Sequence, residues 1–238
     1  MQQIKMSLLT KCIIRSLLPI IALSSGAVCA KQFDCADLAL IEINSSDEYM
    51  INDICNASGK AVSFLAQYNL YPKRVIKIQI IDSIINNDGY IAFGSYDRQI
   101  DLIQLMSLPA ILDTTESPEM YDQPFDREHY RGVIAHEIVH AIFHHNSRNI
   151  KEQLTNVAQE YLAHTVQLGV LSPERRNQIL GTNDLGPWES GDSISVTYMG
   201  LRPTGFAVKS YLHFTQMSDP LPFIQILLNN NWFFISVP

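Results

Sequence analysis

The chain has 238 residues and a formal net charge of −7, because 24 acidic residues outnumber 17 basic ones. We expect no nucleic-acid partner, since phosphate backbones are bound by clustered Lys and Arg. The length suits one well-packed domain or two small ones.

The first 30 residues have the pattern of a secretory signal peptide. Basic residues come first, the short apolar run SLLPIIALS follows, and the segment GAVCA ends in small residues. This order predicts cleavage after Ala30 and export to a periplasm or out of the cell, with residues 31–238 as a single domain. The apolar run is too short to cross a bilayer, so no membrane span is expected. Lipid attachment at Cys29 is an alternative that the preceding Val28 disfavours.

Cleavage would change both the charge and the cysteine count. The leader carries three basic residues and no acidic ones, so the mature chain would have 14 basic and 24 acidic residues, a formal charge of −10. Of the four cysteines, Cys35 and Cys55 would remain. In an exported chain we predict that they form one disulfide closing a loop of about 20 residues, and two free thiols are the alternative.

Apolar patterning predicts a small sheet and one helix in the first half of the mature chain. Residues 33–43 have the apolar density of a strand. Residues 45–70 begin with a capping box and repeat apolar residues at helical spacing. Residues 74–82 alternate with a period of two, which is typical of a strand. Two more strands are predicted near 90–95 and 99–105, with the segment GSYD as the turn between them.

The second half is predicted to be mostly helical. The acidic, proline-bearing segment 113–126 predicts an exposed loop ending at Asp126, a helix N-cap, with Phe125 and Tyr130 as a hydrophobic staple across it. Later helices are predicted in KEQLTNVAQEYLAHTVQL (151–168, ending at Gly169), SPERRNQIL (172–180, capped by Ser172), TGFAVKSYLHF and PLPFIQILLNN. Since strands come first and helices second, the expected fold class is α+β.

The segment GVIAHEIVHAIFHH (132–145) carries the strongest chemical signal. His136 and His140 are four residues apart, so they share one helix face and can bind one Zn²⁺. Glu137 would lie beside that metal, where it can take a proton from a water molecule. Together these residues form the zincin motif HExxH. The flanks are apolar, so the helix should be buried and its imidazoles need partners; hydrogen-bonded core histidines are the alternative to a metal.

Two more histidines end this segment. His144 lies about 12 Å along the helix axis from His136, too far to share its ion, and His145 points away by about 100°. Both are expected near the helix C-terminus, either exposed or contacting a metal ligand without touching the metal.

A third protein ligand has to come from elsewhere in the chain. In the 35 positions after His140, the acidic residues are Glu152, Glu160 and Glu174. Glu152 and Glu174 fall in the first turns of predicted helices, which are ordinary surface positions. Glu160 alone lies mid-helix among apolar residues, twenty positions after His140.

His136, Glu137, His140 and Glu160 together resemble the gluzincin, or thermolysin-like, metallopeptidases, and the resemblance covers roughly residues 74–170. It implies a minimal, single-domain zincin-like fold: a small mixed β-sheet, the HExxH active-site helix, and an antiparallel helix bearing the glutamate. It also implies Zn²⁺ on both histidines and Glu160, with Glu137 as the general base that activates a zinc-bound water. A peptide or protein substrate would add a strand to a sheet edge near GYIAFGS.

One position departs from the family pattern. His164 stands where thermolysin-like members often have an aspartate that orients a ligand histidine. It could hydrogen-bond to a ligand, compete as a ligand, or be a core histidine. No single residue stands out as the donor to a tetrahedral oxyanion; the candidates are Tyr198, Arg202, Tyr211 and His213.

These patterns favour an exported zinc metallopeptidase. The alternative, motivated by the missing aspartate and oxyanion donor, is a non-catalytic zincin-fold binding protein whose metal is structural. A metal-buffering protein that uses all the histidines has little support, because the remaining histidines do not cluster with carboxylates. The substrate and the oligomeric state stay open.

Overall fold

The computed structural model describes residues 31–45, 48–87, 90–114, 118–147, 156–230 and 232–238. The predicted signal peptide lies outside these residues. Among the helices that they form, none is long and apolar enough to cross a bilayer.

In chain order, the strands are β1 (Lys31–Asp34), β2 (Ile41–Ser45), β3 (Ile76–Ile81), β4 (Ile85–Asn87), β5 (Tyr90–Ala92), β6 (Gly94–Asp97), β7 (Leu102–Met106), β8 (Glu119–Met120), β9 (Gln123–Pro124), β10 (Ser193–Ser195) and β11 (Phe234–Ser236). The helices are α1 (Glu48–Ala66), α2 (Leu108–Leu112), α3 (Arg127–Asn146), α4 (Asn156–Val170), α5 (Pro173–Asn183), α6 (Val196–Leu201), α7 (Pro203–Gln216) and α8 (Leu221–Asn229).

A five-stranded mixed sheet lies under the site, in the order β1-β2-β3-β7-β6. Its central strands β2, β3 and β7 are parallel, whereas β1 and β6 pair antiparallel at the two edges. Isoleucines alternate along β2 and β3, so that Ile41 and Ile43 pair with Ile76 and Ile78 on one buried face. This face packs against the helices, and α3 contacts both β6 and β7. The α3 helix is therefore held directly over the β6 edge of the sheet.

The strand predicted at 33–43 is instead two antiparallel strands, β1 and β2, joined by a turn. Within the turn, the Leu38 amide donates to the Cys35 carbonyl, and the Ile41 amide donates to the Leu38 carbonyl. Apolar density alone was misleading here, because it does not distinguish one strand from two strands with an apolar turn.

The turn predicted at GSYD is also wrong, since these residues form β6 itself. The chain turns four residues later, where the Asp97 carboxylate accepts from the Gln99 amide and Asp101 adopts a left-handed φ of 51°. Aspartate tolerates this conformation better than most residues. The Gly-Ser pair was interpreted as a turn, whereas Gly94 lies within the strand and lets β6 lie close to Glu137 of α3.

The HExxH helix α3 begins as predicted. Asp126 is its N-cap and accepts from the Glu128 and His129 amides. Phe125 and Tyr130, the predicted staple, are both buried. Two arginines on α3, Arg127 and Arg131, also bind the buried Asp53 carboxylate of α1. These ion pairs hold α3 against α1 without any contribution from a bound ligand.

The segment before α3 is not the exposed loop that was predicted. Its described residues include the short β8–β9 hairpin, and Tyr121 and Phe125 are buried. Tyr121 and Asp122 form the hairpin turn, both with left-handed φ values near 57° and 59°. Two such residues are what a two-residue type I′ turn requires. Because the aromatic side chains of Tyr121 and Phe125 are buried in the core, the polar composition of the segment did not predict its exposure.

The α4 helix runs antiparallel to α3. Glu128 at the start of α3 accepts from the amide of Ser172, just beyond α4, while His140 near the end of α3 meets Glu160 near the start of α4. The predicted start of this helix at 151 lies outside the described residues, and the helix continues one residue past its predicted end at Gly169.

Three of the remaining helices were predicted, whereas α6 and one small sheet were not. α5 begins at Pro173 with Ser172 as its cap, and α7 and α8 cover the two later predicted helices. Strands β10 and β11 pair antiparallel after most of the helices. The molecule is thus a mixed α and β protein in which the larger sheet precedes the site helices, and strands and helices are not fully segregated.

The predicted disulfide is confirmed. Cys35 and Cys55 are bonded across a sequence separation of 20 residues, which ties the turn after β1 to α1.

Candidate metal centre

The site lies between α3 and α4, where three predicted residues converge. His136 and His140 are one helical turn apart on α3, and both face the Glu160 carboxylate of α4. His136 Nε2 lies 3.2 Å from Glu160 Oε2, and His140 Nε2 lies 3.5 Å from Glu160 Oε1. The antiparallel packing of the two helices is what brings residues twenty positions apart to this distance.

His164 joins the same cluster. It lies one turn after Glu160 on α4, and its Nε2 is 3.8 Å from Glu160 Oε2. Donor atoms of His136, Glu160 and His164 all lie within 4.8 Å of one another, so these three residues could hold a metal ion.

The distances from the histidine nitrogens to Glu160 are close to those around a small tetrahedral ion, although His140 is not among the three residues whose donors all lie within 4.8 Å of one another. Four ligands about 2.0–2.1 Å from a zinc ion are roughly 3.3 Å from each other. The three distances from histidine nitrogens to Glu160 oxygens, 3.2, 3.5 and 3.8 Å, lie around that value. Imidazole nitrogens and carboxylate oxygens are also donors that zinc accepts.

Two imidazoles of the cluster are held through their other nitrogen. Nδ1 of His136 is 2.8 Å from Gln167 Oε1, and Nδ1 of His164 is 2.9 Å from the Tyr121 hydroxyl. The Gln167 amide in turn donates to the sulfur of Met120. Met120 and Tyr121 both belong to the β8–β9 hairpin. The same hairpin therefore supports the His164 ring directly and the His136 ring through Gln167, and the Nε2 atoms of both rings are left facing Glu160.

Burial and charge set the protonation of the cluster. Burial acts to raise the pKa of Glu160, but His140 and His136 outweigh it and hold that pKa well below its usual range. Burial lowers the pKa of His164 to about 3, so this imidazole is neutral at pH 7. An ionised carboxylate beside the neutral imidazole of His164 is a donor pair ready for a cation.

Glu137 faces the sheet edge from the same turn of α3. It is 6% exposed, and burial, opposed by His140 and aided by Glu160, raises its pKa to about 7. Its side chain lies against Gly94 of β6. A carboxyl group with a pKa near neutrality can both accept and release a proton at physiological pH.

A cavity of about 790 Å³ opens in front of these residues. It is lined by the edge-strand segment from Ile91 to Tyr96, by the β8 strand, and by the facing sides of α3 and α4. This volume is typical of sites that bind small molecules or short peptide segments. None of Tyr198, Arg202, Tyr211 and His213 is among its lining residues, so the oxyanion candidates from the sequence lie elsewhere.

The β6 strand turns free backbone groups toward this cavity. The Met106 amide donates to the Phe93 carbonyl, which makes these two residues a hydrogen-bonded antiparallel pair. In the β6–β7 register the next such pair is Ser95 with Gln104, because hydrogen-bonded pairs alternate along the ladder. The backbone N–H and C=O groups of Gly94 and Tyr96 therefore point away from β7.

His144 and His145 stand apart from the cluster. His145 was expected to be exposed or beside a metal ligand, but it is buried at the far end of α3. Its Nε2 donates to Asp101, and its Nδ1 accepts from the Lys73 amide. His144 Nδ1 is 3.1 Å from the Tyr96 hydroxyl. The β6–β7 turn covers this end of the helix, which helical geometry alone could not reveal.

Two other carboxylates were considered for the site. Glu174 is exposed in the first turn of α5, as predicted, and Glu152 lies outside the described residues.

Four residues around the site were missed by sequence reasoning: Gln167, Tyr121, Met120 and Gly94. Gln167 follows Glu160 by seven residues, so the helical repeat could have put both on one face of α4. Met120, Tyr121 and Gly94 had no comparable signal in the sequence, because their roles depend on contacts with distant helices.

A family described as "Family of unknown function (DUF6639)" matches residues 41–237. Neither the curated proteins nor the solved structures contain a significant match to the chain.

Proposed function

The chain belongs to DUF6639, a family of unknown function, and we propose that it is an exported, zinc-dependent hydrolase that cleaves peptide bonds. The observation that carries the proposal is a single convergence: His136, His140 and Glu160 meet at one wall of the cavity, with the buried Glu137 beside them. This grouping is the one that a gluzincin-type metallopeptidase requires.

The metal would be held by His136, His140 and Glu160, whose nitrogen and oxygen donors suit zinc. When bound, Zn²⁺ supplies Lewis-acid chemistry that polarises a carbonyl oxygen and acidifies a water molecule. Gln167 contributes by holding His136 through Nδ1, which keeps the Nε2 lone pair directed at the site.

Glu137 would be the general base. Its carboxylate would take a proton from the water that attacks the scissile carbonyl, and it would then pass that proton to the leaving amine. Burial against β6 keeps the carboxylate out of bulk water, so the proton is exchanged with the substrate rather than with solvent.

An extended peptide is the substrate that the cavity suits. The free N–H and C=O groups of Gly94 and Tyr96 lie on an edge strand that lines the cavity, and an added strand would satisfy them. Such a strand would run past Glu137 and the two histidines, because α3 packs against β6.

Export is supported by the disulfide between Cys35 and Cys55, since such bonds persist in oxidising compartments such as a periplasm or the cell exterior.

The test is the exchange Glu137→Gln, which removes the base but keeps the size of the side chain. Zinc content should match the wild type, while hydrolysis of a peptide library should fall by at least about 100-fold, the usual contribution of a positioned base. Glu174→Gln, at an exposed carboxylate, is the control and should change neither value. Hydrolysis that survives in the Glu137 variant would rule out the proposed mechanism.

A non-catalytic protein with a structural metal is the second candidate. It is favoured by His164, because a fourth protein donor would leave no position for water, as in structural zinc sites. Chelation separates the two functions. A structural metal predicts a large fall in melting temperature with no hydrolysis under any condition, whereas a hydrolase should lose activity on chelation and regain it when Zn²⁺ is restored.

A further inference from the structure

The two site helices each contribute a pair of potential donors one turn apart. α3 contributes His136 and His140, and α4 contributes Glu160 and His164. Because the helices are antiparallel, the pairs face one another: His140 meets Glu160, while the His136 ring lies 4.9 Å from the His164 ring between centroids. The same His136 ring lies 4.7 Å from the His140 ring. His164 is thus as near to His136 as the other histidine of the HExxH motif is.

The environment of His164 matches that of a ligand more closely than that of a core histidine. Its Nε2 faces Glu160 Oε2 at 3.8 Å, and the side chain lines the cavity. Its Nδ1 is engaged by the Tyr121 hydroxyl, as Nδ1 of His136 is engaged by Gln167. Metal-bound histidines characteristically use one nitrogen for the metal and the other for such a partner.

We infer that His164 is itself a metal donor, so that three imidazoles and the Glu160 carboxylate close the site in its resting state. This inference rests on the metal-binding part of the proposed function. A closed set of four protein donors is typical of structural zinc, whereas catalysis requires an open or a fifth position. In this protein, substrate can therefore reach the metal only if His164 leaves or the coordination expands, which makes His164 the residue that controls access.

The first experiment replaces zinc by Co²⁺, whose visible absorption reports coordination number. The wild-type protein should give the intense bands of a four-coordinate ion, and added azide should leave them unchanged. His164→Leu should weaken metal affinity by more than the roughly 10- to 100-fold typical of residues that only support a ligand. The same variant should change the spectrum and let azide bind.

A matched control is available in His213→Leu. His213 also has its Nδ1 at a tyrosine hydroxyl, 2.7 Å from Tyr161, but it lies outside the cluster. Its loss should leave the Co²⁺ spectrum as in the wild type. Tyr121→Phe separates support from ligation: affinity should fall by about 10- to 100-fold with the four-coordinate spectrum retained.

A second measurement needs no folded variant at position 164. X-ray absorption of the zinc-loaded wild-type protein counts imidazole ligands, and we expect three. Two imidazoles, or an unchanged Co²⁺ spectrum in folded His164→Leu, would overturn the inference and leave the hydrolase proposal intact. Conversely, three imidazoles with no peptide hydrolysis by the zinc-loaded wild type would uphold the inference and reject the hydrolase.

Discussion

Gly94 of the edge strand leaves no room for a side chain beside Glu137. A Cβ at position 94 would lie 2.6 Å from Glu137 Cγ and 2.8 Å from its Oε1, closer than real Cβ atoms come to other groups. The φ of Gly94 is not positive, so the requirement is for space rather than for an unusual backbone conformation. Glycine here allows β6 to approach the HExxH helix closely enough to bury the Glu137 side chain.

The exchange Gly94→Ala should therefore displace Glu137 while sparing the metal donors. We expect a loss of about 1–3 kcal/mol in the free energy of unfolding, the usual result of overpacking. Metal affinity should stay within a few-fold of the wild type, and any peptide hydrolysis should fall at least about tenfold because the base is misplaced. Denaturant unfolding, metal titration and a hydrolysis assay measure the three quantities.

Gly181→Ala is the matched control for this exchange. Gly181 lies in α5, and a Cβ there would meet nothing within 4 Å. Alanine should raise stability by up to about 1 kcal/mol through helix propensity, with no effect on metal or hydrolysis. If Gly94→Ala were equally benign, the close approach of β6 to Glu137 would have no role.

Acidification should destabilise the protein, partly through His129. Its side chain is fully buried under the β8–β9 hairpin, and burial lowers its pKa from 6.5, although the nearby Asp126 opposes this. The unfolded chain therefore binds a proton first as the pH falls below about 6.5, so the free energy of unfolding decreases. For one such histidine, the free energy of unfolding changes by up to about 1.4 kcal/mol per pH unit between the pKa of the folded chain and that of the unfolded chain.

Denaturant unfolding at several pH values between 7 and 4.5 measures this slope. His129→Asn removes the titrating group but keeps a donor that can reach the Pro124 carbonyl, the partner of His129 Nδ1. The variant should have a shallower slope than the wild type. Burial lowers the pKa of His145 and of His213 as well, so part of the slope should remain. An unchanged slope would mean that His129 takes up its proton in the folded state.

The disulfide should stabilise the fold without touching the site. Removing it with the double exchange Cys35→Ala and Cys55→Ala frees a loop of 20 residues in the unfolded chain. We expect a loss of about 3 kcal/mol in the free energy of unfolding and an unchanged metal affinity, because α3 and α4 do not contain the bridge. A fall in metal affinity would instead mean that the bridge positions the donors through α1.

Several elements could be predicted because their signals are local. The cap at Asp126, the cap at Ser172 and the alternation in β3 each involve neighbours a few residues apart. The errors came where composition was ambiguous: the apolar turn between β1 and β2, the glycine in β6, and the hairpin that buries Tyr121. Long-range contacts decided two of these cases, since Gly94 lies against Glu137 and Tyr121 against His164, whereas the β1–β2 turn is closed by hydrogen bonds between residues three apart.

The same division holds for the site. The sequence indicated that His136 and His140 share a helix face, with Glu137 beside them, because the helical repeat is a property of one segment. It also singled out Glu160 among the carboxylates that follow. Three relationships became visible only in the folded chain: His164 faces the same carboxylate, one hairpin supports two imidazoles, and Gly94 leaves room for Glu137. Those relationships depend on which faces of distant elements meet, and the packing of the whole core determines that.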